Sequence, residues 1–157
     1  MLVVSPFGFL LHEVARLMRA HFNRLIQAEG LTLAQSRVLI QLSHCDGQRQ
    51  VDLAERLEVQ PMTVGRLVDQ LASSGMVERR ADPLDRRVFR IFLLPGAQPL
   101  LERIAAVAEE TRRVATAGMS AELLAQTNEA LALVKQNLLL SGAAHGAADP
   151  SCFPVVE

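Results

Sequence analysis

Several things are scarce in this 157-residue chain, and each scarcity excludes something. Cysteine occurs only twice, at Cys45 and Cys152. There is no C-x-x-C spacing and no Cys/His pattern, so no structural zinc and no other cofactor is expected. Tryptophan and tyrosine are absent. No apolar run approaches the roughly 20 residues of a membrane span. The opening Met1–Leu11 stretch is apolar, but it lacks a basic region and a small-residue cleavage site, so no signal peptide and a cytoplasmic location are expected. No Ser/His/Asp set, carboxylate pair or glycine-rich phosphate loop can be assembled, so no enzyme is expected. Net charge is −1, and any case for nucleic acid must be local. Lysine is nearly missing: of the 16 basic residues only Lys135 is not arginine. Arginine is the better residue for bidentate and minor-groove contacts, although a high-GC genome produces the same bias.

What is present is half apolar, with mean hydropathy +0.20. The length suits one domain. Ser5-Pro6 reads as the start of a helix running to about Glu29 and stopped by Gly30. It carries two apolar stripes: Leu10, Val14, Leu17, Met18, His21 and Leu25, then Phe7, Leu11, Ala15, Phe22 and Ile26. Two stripes call for burial on two sides, by this chain or another. Thr32 to Gln35 fits a capping box for a second helix to about His44, with Val38, Leu39 and Leu42 inward. Asp46-Gly47 is a turn. A third helix covers about Val51–Leu57, with Val51, Ala54 and Leu57 inward. After Glu58-Val59-Gln60, Pro61 opens a fourth helix to Ser74. Its Val64, Leu67, Val68 and Leu71 follow the 3.6-residue period.

Met76–Ala81 and Arg87–Leu94 read as strands around an Asp82–Arg86 turn. A long helix follows from Pro95-Gly96 to about Ala117. Ser120 caps a last one, to about Leu140, with Leu124, Leu131 and Leu138 seven residues apart, a spacing suited to packing on another helix. The expected fold is mainly α with a small β-wing: a winged helix-turn-helix at 31–95, dimerisation helices at 6–30 and 96–140, and a loose tail at 141–157.

Two helices on a three-residue turn, followed by a hairpin, form a device for entering DNA grooves. The polar face of helix four, with Thr63, Arg66, Gln70 and Ser73, is presented as a rod that fits the major groove. Gln60 and Met62 lie at its N-terminal end, where N–H groups welcome a phosphate. From Arg79 to Arg90 five arginines face two aspartates, a local charge of +3. Arg86 and Arg87 fall at the hairpin tip, placed for a narrow A·T minor groove, with Asp85 able to brace a guanidinium.

The segments Gln50–Leu57, Pro61–Leu71, Gly75–Arg79 and Asp82–Arg87 resemble the MarR family of bacterial regulators, and the likeness extends over about Pro6–Leu140. The resemblance implies a triangular homodimer with intertwined first and last helices. It implies double-stranded DNA bound at a pseudo-palindrome, and often derepression by a small anionic or phenolic effector or by oxidation. It assigns the wing roles to Asp85 and Arg87, and the recognition-helix roles to Thr63 and Arg66. The chain departs from the family at Glu58 (commonly glycine), Gln60 (commonly a serine cap) and Gly65 (an outward position commonly a small hydroxyl residue). It also has Leu93–Ala97 where Leu-Thr-x-x-Gly is usual.

Two alternatives remain at this stage. One is a winged-helix protein-interaction module, which requires an apolar patch in place of an arginine tip. The other is redox sensing through Cys45, beside His44, with Cys152 as a pairing partner. His12 and Arg16, on one face of the first helix, are the candidate effector ligands; hydrogen bonding between helices is their plainer role.

Overall fold

A computed structural model describes residues 6–142; Cys152 and most of the expected tail lie outside the described residues. In chain order the elements are α1 (Pro6–Ala28), α2 (Leu33–His44), β1 (Gln48–Arg49), α3 (Gln50–Leu57), α4 (Pro61–Ser73), β2 (Val77–Ala81), β3 (Phe89–Leu93), a 3-10 turn (Pro95–Ala97), α5 (Gln98–Ala115) and α6 (Ala121–Gly142). They fall into two compact units, the first ending at Thr111 and the second beginning at Arg112. No helix among the described residues is long and apolar enough to cross a membrane.

In the first unit one hydrophobic core runs from α1 to α5. Ile26, Val38, Leu39, Leu42, Leu53, Val64, Val68 and Ile91 are fully buried, joined by Leu100, Ile104 and Val107 of α5. The core is thus continuous from the end of α1 to the third turn of α5. The helix boundaries follow from local chemistry. Thr32 and Gln35 form the complete capping box at the start of α2. At its far end the buried Gln48 amide donates to the carbonyls of Gln41 (3.0 Å) and Cys45 (2.6 Å). The Cys45 carbonyl at the helix end thereby finds a donor, and the Gln41 carbonyl, which already accepts the Cys45 N–H, gains a second.

Helix α3 corrects one sequence expectation. Leu53, Ala54 and Leu57 are buried, whereas Val51 is 50% exposed. A 3.6-residue period allows either face in an eight-residue helix, and the packing against α2 and α4 selects Leu53. The turn after α3 closes tightly. Glu58 adopts the left-handed conformation (φ 56°), and its N–H reaches the carbonyls of Ala54 and Glu55. A β-carbon in that region is strained by about 1 kcal/mol or more. Gln60 precedes α4 without a side-chain cap, and Pro61 takes the first helical position, where a missing N–H costs nothing.

The sheet has three strands, not the two expected, in the order β1-β3-β2, all antiparallel. Strand β1 is only two residues long, too short for any period-2 pattern to register. Asp46 accepts the Leu93 N–H at 2.8 Å and holds that corner. In the β2–β3 pairing Val77 faces Leu93, Arg79 faces Ile91 and Arg80 faces Arg90. Helix α5 starts later than expected: Pro95-Gly96-Ala97 forms a 3-10 turn before Gln98. A β-carbon at Gly96 would sit 2.8 Å from the Gly75 carbonyl oxygen, so this close backbone approach requires glycine.

The second unit contains the end of α5 and α6. Ser120 Oγ accepts the Leu123 N–H at 3.1 Å, the expected cap. Among the described residues of α6 none is buried. Leu123, Leu131, Leu133, Leu138, Leu139 and Leu140 are all exposed.

Candidate nucleic-acid interface

Helix α4 presents two unlike faces. Val64, Val68 and Leu71 are buried, with Leu67 half-buried. Gln60, Met62, Thr63, Arg66, Gln70 and Ser73 are all exposed, as the spacing predicts. Met62 is 72% exposed. Arg66 makes no ion pair among the described residues. Gln70 Oε1 lies 3.5 Å from Gln35 Nε2, and Ser73 Oγ donates to the Gln70 carbonyl at 2.8 Å. These two polar groups near the end of α4 are therefore partly satisfied within the protein. The Thr63 and Arg66 side chains have no such partner among the described residues.

Gly65, expected to face outward, is half-buried. A β-carbon there would touch Gln50 Nε2 at 3.4 Å. Its carbonyl accepts from Arg79 Nη2 at 3.0 Å. The same guanidinium donates to Gln50 Oε1 at 3.3 Å and pairs with Asp69. Arg79 therefore rivets strand β2 to α3 and α4.

The local charge of +3 is thus not spread evenly along the wing. Arg90 Nε donates to Asp82 Oδ2 at 2.6 Å, and Nη1 reaches the Gly47 carbonyl at 3.1 Å. Arg80 pairs with Glu78 and lies over the Phe92 ring, 4.4 Å from its centroid. Arg80 and Arg90 are direct cross-strand neighbours, a like-charge contact that would cost stability unrelieved. Glu78 and Asp82 relieve it. The strand arginines serve the wing's own geometry, and the tip arginines are left to face outward. The sequence signal was available: Arg79 shares the inward face of β2 with Val77 two residues earlier.

At the tip, the Val88 N–H donates to the Asp85 carbonyl at 2.9 Å, which makes Arg86 and Arg87 the central residues of the turn. Arg87 extends into solvent, and Asp85 grips its guanidinium at 3.0 and 3.1 Å while also accepting its N–H at 3.0 Å. The expected brace is present. Arg86 is exposed and makes no ion pair among the described residues. The hydrogen bonds from Arg87 hold the Asp85 carboxyl below its ordinary value. The Leu84 N–H, then Arg90, do the same for Asp82. Both carboxylates stay ionised as pH falls to about 4, and their pairs are lost only on further acidification through the lowered values.

His12 and Arg16 lie on an exposed face of α1. Arg16 is held by Glu13 at 2.8 and 3.1 Å. His21 Nδ1 lies 3.3 Å from Thr111 Oγ1, tying α1 to α5. Cys45 is the half-buried residue that ends α2. A cavity of about 490 Å³ opens between α2 and α5, lined by Ile40, Ser43, His44, Gln98, Leu101 and Glu102 among others. Among the described residues no cluster of His, Cys, Asp and Glu is arranged to hold a metal.

A helix-turn-helix with a braced, arginine-tipped hairpin defines a winged-helix protein of the nucleic-acid-binding kind. The MarR family profile matches residues 31–89. A transcriptional regulator, PA3341, is 35% identical, covering 84% of this chain and 97% of its own, with a TM-score of 0.72. A cysteine-to-serine variant of MarR from E. coli is 26% identical over 83% of this chain and 97% of its own, with a TM-score of 0.75. The same variant complexed with operator DNA matches at 26% identity, covering 83% and 94%, with a TM-score of 0.68. This chain belongs to the MarR family of winged-helix transcription regulators.

Proposed function

We propose that this protein is a sequence-specific DNA-binding repressor. In this reading it acts as a homodimer on a pseudo-palindromic operator and is released by a small-molecule effector. The observation that carries the reading is the pairing of an exposed polar face on α4 with a wing that carries two exposed arginines, Arg86 and Arg87, at its tip. Thr63 and Arg66 address base edges or phosphates in the major groove. Arg86 and Arg87 address the flanking minor groove. The uncapped start of α4 offers its N–H dipole to a phosphate. Support also comes from the related MarR of E. coli, which has been crystallised with operator DNA.

Dimerisation through α1 and α6 accounts for the leucines and phenylalanines that those helices leave exposed. Two recognition helices then meet successive major grooves, about 10 bp apart or a multiple. An arginine tip is the wrong chemistry for an apolar protein-docking wing, and this weighs against the interaction-module alternative. The cavity between α2 and α5 is in the size range that accepts a small ligand.

The deciding experiment is fluorescence anisotropy with a labelled duplex from upstream of the protein's own gene, against a random duplex, at two salt concentrations. The expected result is saturable binding that beats the random control and weakens steeply with salt. No binding to either duplex at low salt overturns the reading. Release of bound duplex by a panel of benzoates and phenols tests the effector half.

A further inference from the structure

One hydrophobic side chain is unaccounted for by any packing in the chain. Leu84 is 95% exposed, the largest value among the exposed large hydrophobic residues. Its loop is firmly built. The Asp82 N–H donates to the Val88 carbonyl at 2.8 Å and closes the base. The Asp82 side chain, only 7% exposed, accepts the Leu84 N–H at 2.8 Å while gripping Arg90. Pro83 locks one backbone torsion immediately before it. Leu84 is therefore held outward by a braced frame, two residues from the unpaired Arg86. A leucine displayed this way gains nothing from its own fold.

We propose that Leu84 is an apolar minor-groove contact, seated against the deoxyribose walls beside Arg86. The proposal rests on the DNA-binding reading above. The minor groove is about 6 Å wide. Its negative potential draws the tip arginines, while its sides are sugar rings that an isobutyl group desolvates well. Other minor-groove proteins present leucine to this groove as well, there as a wedge between base steps. The contact also carries preference without hydrogen bonds. The guanine N2 amino group rises from the groove floor in G·C pairs and is absent from A·T pairs. Leu84 thus disfavours G·C flanks sterically, and Arg86 favours A·T flanks electrostatically.

The test compares wild type, Leu84→Ser and Leu84→Met on the upstream duplex by anisotropy. Three forms of the flanks are used: A·T, G·C, and G·C with inosine replacing guanine. Inosine removes only the minor-groove amino group. We expect Leu84→Ser to bind the A·T-flanked duplex about five- to tenfold more weakly, with an unchanged salt slope. Leu84→Met should stay within about twofold, since its apolar area is similar. Inosine should strengthen wild type over guanine by more than it strengthens Leu84→Ser, which keeps only the Arg86 preference. Equal affinities for wild type and Leu84→Ser overturn the proposal while leaving the DNA reading intact. So does a loss in Leu84→Ser accompanied by a shallower salt slope, which marks a displaced phosphate contact. If wild type binds no duplex, the DNA reading itself fails, and Leu84 with it. Thermal melting of the variants serves as the control and should not move, because the side chain is 95% exposed.

Discussion

Helices α4 and α6 are both rich in leucine and valine, yet they meet opposite fates. In α4 Val64, Val68 and Leu71 form one stripe, buried against α2, α3 and the wing, and of the large apolar residues only Met62 is exposed. In α6 apolar residues occur all round, and none is buried. An amphipathic helix can be satisfied by its own chain and leave its polar face for a ligand. A helix that is apolar all round, and still uncovered, requires another surface. The first kind carries the recognition face. The second kind is where a partner copy belongs.

Substitutions sharpen this contrast, beginning with the largest effect. Leu39→Ala empties a fully buried position beneath α4 and is expected to cost about 2–5 kcal/mol, read by chemical denaturation. Leu140→Ala in α6 should cost the isolated chain under about 0.5 kcal/mol. Its effect should appear instead as a melting temperature that depends more strongly on protein concentration, and as a shift toward monomer in light scattering. A large concentration-independent loss in Leu140→Ala would break the distinction between the two helices.

On the recognition face, Arg66→Ala should weaken a specific duplex by about 1–3 kcal/mol and spare random DNA. Equal loss on both would make Arg66 a phosphate contact only. Arg87→Ala should weaken all duplexes, most of all those with A·T-rich flanks, without changing the melting temperature. Equal affinity of this variant and wild type would remove the wing from the interface. The smallest effect is expected at the turn before α4. Glu58→Gly relieves a left-handed backbone but adds freedom to the unfolded chain, so a net gain of up to about 1 kcal/mol is expected in denaturation.

Much of the site was legible because its residues lie close together in sequence. The 3.6-residue period of Val64, Val68 and Leu71 placed Thr63 and Arg66 outside, and the Asp-Pro turn placed Arg86 and Arg87 at a tip. The capping box at Thr32 and the cap at Ser120 were readable for the same reason, since each spans a single helical turn. What sequence reading missed involves partners far away along the chain. Arg79 contributes to the wing's charge of +3 along the sequence, yet it closes on Gln50, Gly65 and Asp69. Gly65 was placed outward for want of that contact. Val51 and Leu53 were indistinguishable until neighbouring helices chose one face of α3. Strand β1 exists only because β3 pairs with it.

By itself, then, the sequence determined the helices, their caps, the hairpin and the polar face of α4, because each depends on spacing within a few residues. Only the tertiary structure decided how the five wing arginines divide. Ion pairs with Asp69, Glu78 and Asp82 hold three of them to the protein's own frame, and the tip pair faces solvent. A guanidinium goes to whichever carboxylate the fold brings within reach, and charge counting along a chain contains no such distances.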